Sequence, residues 1–159
     1  MVTIDFETYY SRDYSLRKMT TEAYLRSPEF QVIGLGYKDG INNTEWVTGD
    51  DVGEALRDLR LEDQTVLAHN MAFDGAILSW HYGIRPKLLM DTLSMARPFH
   101  RVIAGGSLAA LAEYYSLGSK GTAVHDFIGY RLEHFTPEEL SAYDDHGGTD
   151  VGLAHELVH

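Results

Sequence analysis

The chain opens MVTIDFET (residues 1–8), and the alternation in this stretch decides the fold. Val2, Ile4 and Phe6 fall on one side of an extended strand, and Thr3, Asp5 and Glu7 on the other. Asp5 and Glu7, at i and i+2, therefore point the same way from a strand whose other face is apolar. Two such carboxylates repel each other and lose hydration unless a cation joins them. Magnesium and manganese, which prefer hard oxygen ligands, suit the pair. The plainer alternative is a strand end at which both acids reach solvent.

Outward from this strand the pattern alternates between strand and helix signals. Residues 8–30 are polar and tyrosine-rich, with a short helix expected at TTEAYL under a Thr20 or Thr21 cap and an end at Pro28. QVIGLGYKDG reads as a strand entering a Lys-Asp-Gly turn, with TEWVTG as its hairpin partner. DDVGEALRDLRL is an amphipathic helix opened by acids. QTVLAHN is an apolar strand, AFDGAILSWHYG a helix closed by Gly83, and KLLMDTL a strand running into further helix. SLAALAEYYSLG predicts a helix between Ser107 and Gly118, and TPEE at Thr136 a well-capped helix towards the C-terminus. Hairpin strands followed by strands alternating with helices imply one mixed α/β sheet with helices on both faces.

With 159 residues, the chain is expected to form a single domain over 1–159. It contains no cysteine, which excludes disulfides, thiol catalysis and zinc-thiolate sites. No signal-peptide pattern or membrane-length apolar run occurs, so a cytoplasmic protein without membrane contact is expected. The net charge of −11, from 24 acidic against 13 basic residues, argues against gripping nucleic acid by bulk charge. An acidic cluster loaded with divalent cations inverts that local field and can receive phosphate.

Two further stretches carry candidate chemistry. In HNMAFD (residues 69–74), Asp74 falls at a strand-to-helix junction, where open α/β sheets commonly place their sites. Read alone, it is equally a first-turn acid favoured by the helix dipole, with His69 and Asn70 satisfying backbone groups at the turn. In YDDHGGTDV (residues 143–151), Tyr143, His146 and Asp150 stand at i, i+3 and i+7 and share one helical face. Read singly, they are a packing tyrosine, a surface histidine and a solvated acid. Gly147 and Gly148, each costing about 1 kcal/mol in a helix interior, predict a break after His146 with Thr149 restarting the helix.

DFET (5–8), the N-x-x-F-D core of HNMAFD (70–74) and the H-x-x-x-D of 146–150 together resemble the three motifs of the DEDD, or DnaQ-like, 3′–5′ exonucleases. The flanking segments, from DFETYYSRDYSLRKMTTEAYLRSPEFQVIGLG to GGSLAALAEYYSLGSKGT, are similar to the proofreading domains of phage-type family A DNA polymerases. The resemblance implies an RNase H-like fold, a five-stranded mixed sheet flanked by helices. It implies hydrolysis with two divalent ions, Mg2+ or Mn2+, held by Asp5, Glu7, Asp74 and Asp150. Glu7 then serves in catalysis as well as in binding. The implied substrate is the 3′ end of DNA, single strands preferred, with RNA as the alternative. A DNA polymerase or replication protein is the implied partner, and a bacterial or phage-infected cytoplasm the implied setting. A non-cleaving RNase H-like binding module is the reading from a different class.

The third motif departs from the pattern, because His146 stands four residues before Asp150, where this branch usually has tyrosine. An imidazole, with an ordinary pKa of ~6.5, suits proton abstraction from water better than a phenol near ~10. Tyr143, roughly 10 Å from Asp150 along a helix axis, is the weaker candidate. Phe6, Thr8, Asn70 and Phe73 are candidates for substrate contact, Phe6 and Phe73 by stacking as Tyr9 and Tyr10 also could. Arg12, Arg17, Lys18 and Arg26 form the densest basic patch, to be read as a phosphate contact or as a solvated loop face.

Overall fold

The computed structural model describes residues 1–100, 102, 104–119 and 127–158, the side chains of 142–146 excepted. The opening alternation forms β1 (Val2–Thr8), and the hairpin read downstream of it forms β2 (Val32–Asp39) and β3 (Glu45–Thr48). The two later apolar runs form β4 (Thr65–Ala68) and β5 (Leu88–Asp91). They assemble into a five-stranded sheet ordered β3-β2-β1-β4-β5. β1, β2 and β3 pair antiparallel, whereas β1, β4 and β5 pair parallel, so the sheet is mixed with β1 at its centre.

The helices are α1 (Thr21–Leu25), α2 (Val52–Asp58), α3 (Met71–His81), α4 (Thr92–His100), α5 (Leu108–Tyr114) and α6 (Pro137–Glu156). Their starts follow the local chemistry: Thr20 accepts from the Ala23 N–H, Ser107 from Ala110, and Thr136 forms a reciprocal capping box with Glu139. α5 ends at Tyr114, before the expected stop at Gly118, where Ser116 already turns left-handed. Val2, Ile4 and Phe6 face a core built with Tyr24, Leu35, Val66, Ile77 and Leu78. On the opposite face α6 lies across β1, β2 and β3, and the buried His155 Nδ1 is 2.9 Å from Thr3 Oγ1. No described helix is long and apolar enough to cross a membrane.

The break expected at Gly147-Gly148 is absent, and α6 runs unbroken through both residues. The reason lies across the sheet. A Cβ at Gly147 would stand 2.7 Å from the Trp46 ring, and one at Gly34 only 2.1 Å from the same ring. A Cβ at Gly36 would meet Gly147 O and Val151 Cγ2 at 3.0 Å. Gly34 and Gly36 pair with Glu7 and Asp5 on β1. Three glycines therefore make a slot that takes the Trp46 indole and lets α6 descend onto the sheet beside the two acids. Tertiary packing outweighs the helix propensity that predicted a break.

Candidate active site

β1 delivers the first two acids. Its pairing with β4 extends only over Val2↔Val66 and Thr3↔Leu67, so Asp5, Phe6 and Glu7 continue past the end of that ladder. A register shift between Glu7 and Thr8 marks a bulge on the β2 side, a feature common beside active sites. α6, lowered by the glycine slot, brings Asp150 down to them. One carboxylate oxygen from each of Asp5, Glu7 and Asp150 lies within 4.8 Å of the others. Asp150 is only 3% exposed, while Asp5 and Glu7 are half-buried.

Asp74 stands apart from that group of oxygens but joins the site through the backbone. It belongs to the first turn of α3, is 2% exposed, and its Oδ1 accepts from the Phe6 N–H at 3.0 Å. That N–H belongs to the part of β1 beyond β4, so the carboxylate satisfies a buried donor the ladder leaves open. Burial pushes the Asp74 carboxyl up to about 7, with the Phe6 N–H pulling the other way and Asp91 adding to the rise.

Asp91 is the residue that sequence reading passed over. It accepts from Asn70 N at 2.8 Å, from Leu93 N at 3.1 Å and from Ser94 Oγ at 2.5 Å, tying the β5–α4 turn to the β4–α3 turn. Burial pushes its carboxyl up, but the Ser94 hydroxyl and the Met71, Asn70 and Leu93 N–H groups outweigh it and hold it below the ordinary range. The D-x-x-S pattern was the available signal, since an aspartate bonding its own backbone two residues on marks a turn. Beside it His69 Nδ1 lies 2.8 Å from Thr92 Oγ1, a side-chain hydroxyl where the sequence reading expected a backbone group. Asn70 precedes α3 in a left-handed conformation, φ 73° and ψ 51°, one that asparagine tolerates, and its side chain makes no capping hydrogen bond to the helix.

A cleft of about 680 Å3 opens from Glu7, lined by Phe6, Thr8, Phe73 and the cations Arg12, Arg17 and Lys18. Three of the four proposed substrate contacts thus share one cleft, and Asn70 is outside its lining. Phe6, 4% exposed and stacked on Tyr82, belongs chiefly to the core, whereas Phe73 is half-buried and tilts against Tyr24. The Tyr24 hydroxyl donates to Tyr9 O, so in its 2.8 Å contact with Thr8 the threonine must be the donor. Thr8 can therefore accept a hydrogen bond from substrate but has no proton to give. Tyr9 packs on Tyr14, and Arg26 pairs with Glu22 at 3.0 Å and covers Trp80, so neither lines the cleft. The side chains of His146 and Tyr143 lie outside the described residues, although their backbone belongs to the continuous α6.

No family model matches the sequence, and no curated protein does. Solved structures do. Brucella melitensis NrnC, solved with bound Mg2+ among other forms, superposes with a TM-score of 0.68 at 15% identity, covering 99% of this chain and 69% of that one. Trypanosoma brucei RNase D gives 0.66 at 14% identity over 98% of this chain and 55% of its own. Escherichia coli RNase D, an exoribonuclease involved in structured RNA processing, gives 0.63 at 17% identity over 99% and 38%. At these identities the likeness is one of fold, and the fold is RNase H-like, a five-stranded mixed sheet with helices.

Proposed function

We propose that this protein is a divalent-metal-dependent 3′–5′ exonuclease that shortens RNA. The observation that carries the reading is the convergence of Asp5, Glu7 and Asp150 within 4.8 Å, built by β1 and α6 on this fold. Three clustered carboxylate oxygens are a hard, anionic donor set suited to Mg2+ or Mn2+, and the buried Asp150 charge favours a cation beside it. In this reading Asp5, Glu7, Asp74 and Asp150 hold two such ions, which when bound supply charge stabilisation at the attacked phosphate and the leaving 3′ oxygen. Support for RNA comes from the structural neighbours: NrnC was solved bound to pGG, and Trypanosoma brucei RNase D in complex with RNA U12. The sequence likeness to polymerase proofreading domains favours DNA 3′ ends, and with them a polymerase or replication partner, as the second reading.

The chain's own groups then have definable tasks. His146, one turn before Asp150 on an unbroken helix, takes the proton of the attacking water, with Tyr143 the alternative for orienting it. Phe73 and the Thr8 oxygen contact the terminal nucleotide from the cleft wall. The deciding experiment offers RNA and DNA oligonucleotides of one sequence, labelled at either end, with Mg2+, Mn2+ or EDTA. RNA should shorten from its 3′ end only with divalent metal, and Asp5→Asn should slow this by about 100-fold or more. Faster digestion of DNA would move the substrate to the proofreading class. No shortening with any metal, while Asp5→Ala binds nucleic acid as well as wild type, would leave a non-cleaving binding module.

A further inference from the structure

The cleft beside Glu7 holds more positive charge than one scissile phosphate at the acids requires. Arg12, Arg17 and Lys18 all come from the β1–α1 loop, and that loop is anchored. Tyr14 is buried, its hydroxyl donates to Tyr24 O at 2.6 Å, and its ring stacks on Tyr24 at 4.4 Å. Ser11 Oγ accepts from the Asp13 and Tyr14 N–H groups, and the Lys18 and Met19 N–H groups return to Ser15 O. From the C-terminal half, the Gly129 N–H donates to Tyr10 O, and the Arg131 guanidinium lies 4.0 Å over the Tyr9 ring. The cations are thus carried on a fixed scaffold, which lowers the entropy lost when a ligand binds.

Their charges are not equally committed. Lys18 pairs with Asp13 at 2.8 Å, whereas Arg12 and Arg17 form no ion pair with any described residue. A planar guanidinium matches two phosphate oxygens at once, and Phe73 and Tyr10 in the same cleft offer surface to bases. We propose that Arg12 and Arg17 bind backbone phosphates adjacent to the scissile one, making the β1–α1 loop the track that sets affinity for longer strands. The position of the scissile phosphate rests on the exonuclease reading, while the phosphate contacts rest on the cleft.

The test measures binding of a labelled hexanucleotide RNA to the Ca2+-loaded protein across a salt series, together with turnover in Mg2+. Arg12→Ala/Arg17→Ala should weaken binding about tenfold or more and reduce the slope of log affinity against log salt by about 1.4. KM for the hexanucleotide should rise about tenfold with kcat held within about twofold, and a dinucleoside monophosphate should lose less. Arg12→Lys/Arg17→Lys should recover part of the loss, which separates charge from folding. The charge-matched Arg57→Ala/Lys87→Ala, at exposed positions outside the cleft, should change binding less than about twofold. Equal weakening by both alanine pairs, or none by the first, overturns the proposal. Weakening by the first pair without hydrolysis by wild type sustains the track and removes the exonuclease reading; hydrolysis with undiminished binding does the reverse.

Discussion

Asp74 carries an instability that a cation would relieve. Its carboxyl, buried against Phe6, is raised to about 7 from an ordinary value of 3.8, so the folded protein binds this proton more tightly than the unfolded chain does. The sign follows from linkage: this contribution is fully present below pH 3.8 and is lost as pH rises towards 7. Metal-free wild type should therefore lose up to a few kcal/mol from this group between those values, and Asp74→Asn, which keeps the acceptor for Phe6, should flatten the fall. Urea unfolding at a series of pH values in EDTA measures this, and an identical profile for both proteins would remove the group from the balance. Asp91, held below the ordinary range, acts in a separate window, losing its stabilisation only on acidification. For His146 the readout is rate instead of stability. Below pH ~6.5 an imidazole base is protonated, so activity should decline there in wild type, and His146→Ala should be about 100-fold slower with that limb gone. An undiminished rate with an unchanged profile would exclude the histidine from catalysis.

At the level of elements, α6 is placed by what it lacks. Gly147 gives the Trp46 ring its space, whereas a Cβ at Gly148 would meet only Thr44 Cγ2 at an ordinary 3.6 Å. The two adjacent glycines should respond to alanine with opposite signs. Gly148→Ala should raise stability by up to about 1 kcal/mol through helix propensity. Gly147→Ala should lower it by about 1–3 kcal/mol through overpacking and, by lifting α6, also reduce activity through Asp150. Chemical denaturation of both variants decides this, and equal shifts would mean the slot is not what fixes the helix. The pair also shows what was legible in the sequence. The alternation Val2, Ile4, Phe6 against Asp5 and Glu7, and the cap at Thr136, are local patterns, and β1, the start of α6 and the shared side of Asp5 and Glu7 follow them. The reason for Gly147 is a tryptophan on β3, and the reason for Asp74's position is a backbone N–H on β1. Both depend on packing between distant segments, which local periodicity does not encode. Asp91 was half hidden for the same reason, since Asn70 and Met71 lie at another turn while only Leu93 and Ser94 belong to its own.

Across the whole molecule, a net charge of −11 sets the terms on which a polyanion can approach. Arg12 and Arg17 provide a local attraction at the cleft, but Glu7 lines the same cleft with the opposite sign, and Asp5 and Asp150 cluster with Glu7. Coulomb repulsion between these carboxylates and a phosphate in a half-buried setting exceeds that of surface charges, because the pair is screened less. Nucleic-acid binding should therefore require a divalent cation beyond any role in chemistry. In EDTA, wild type should bind an RNA oligonucleotide at least about tenfold more weakly than in Ca2+. Asp5→Asn/Glu7→Gln/Asp150→Asn removes the repulsion together with the ion's ligands, so it should bind in EDTA nearly as well as wild type does in Ca2+, without cleaving. Fluorescence anisotropy at fixed ionic strength separates the cases. If wild type binds equally with and without metal, the strand does not reach the acids, and the cluster has lost its claim to be the active site. If the triple variant binds no better in EDTA than wild type, the cation acts through the fold instead of through charge, which thermal unfolding of the two proteins would show.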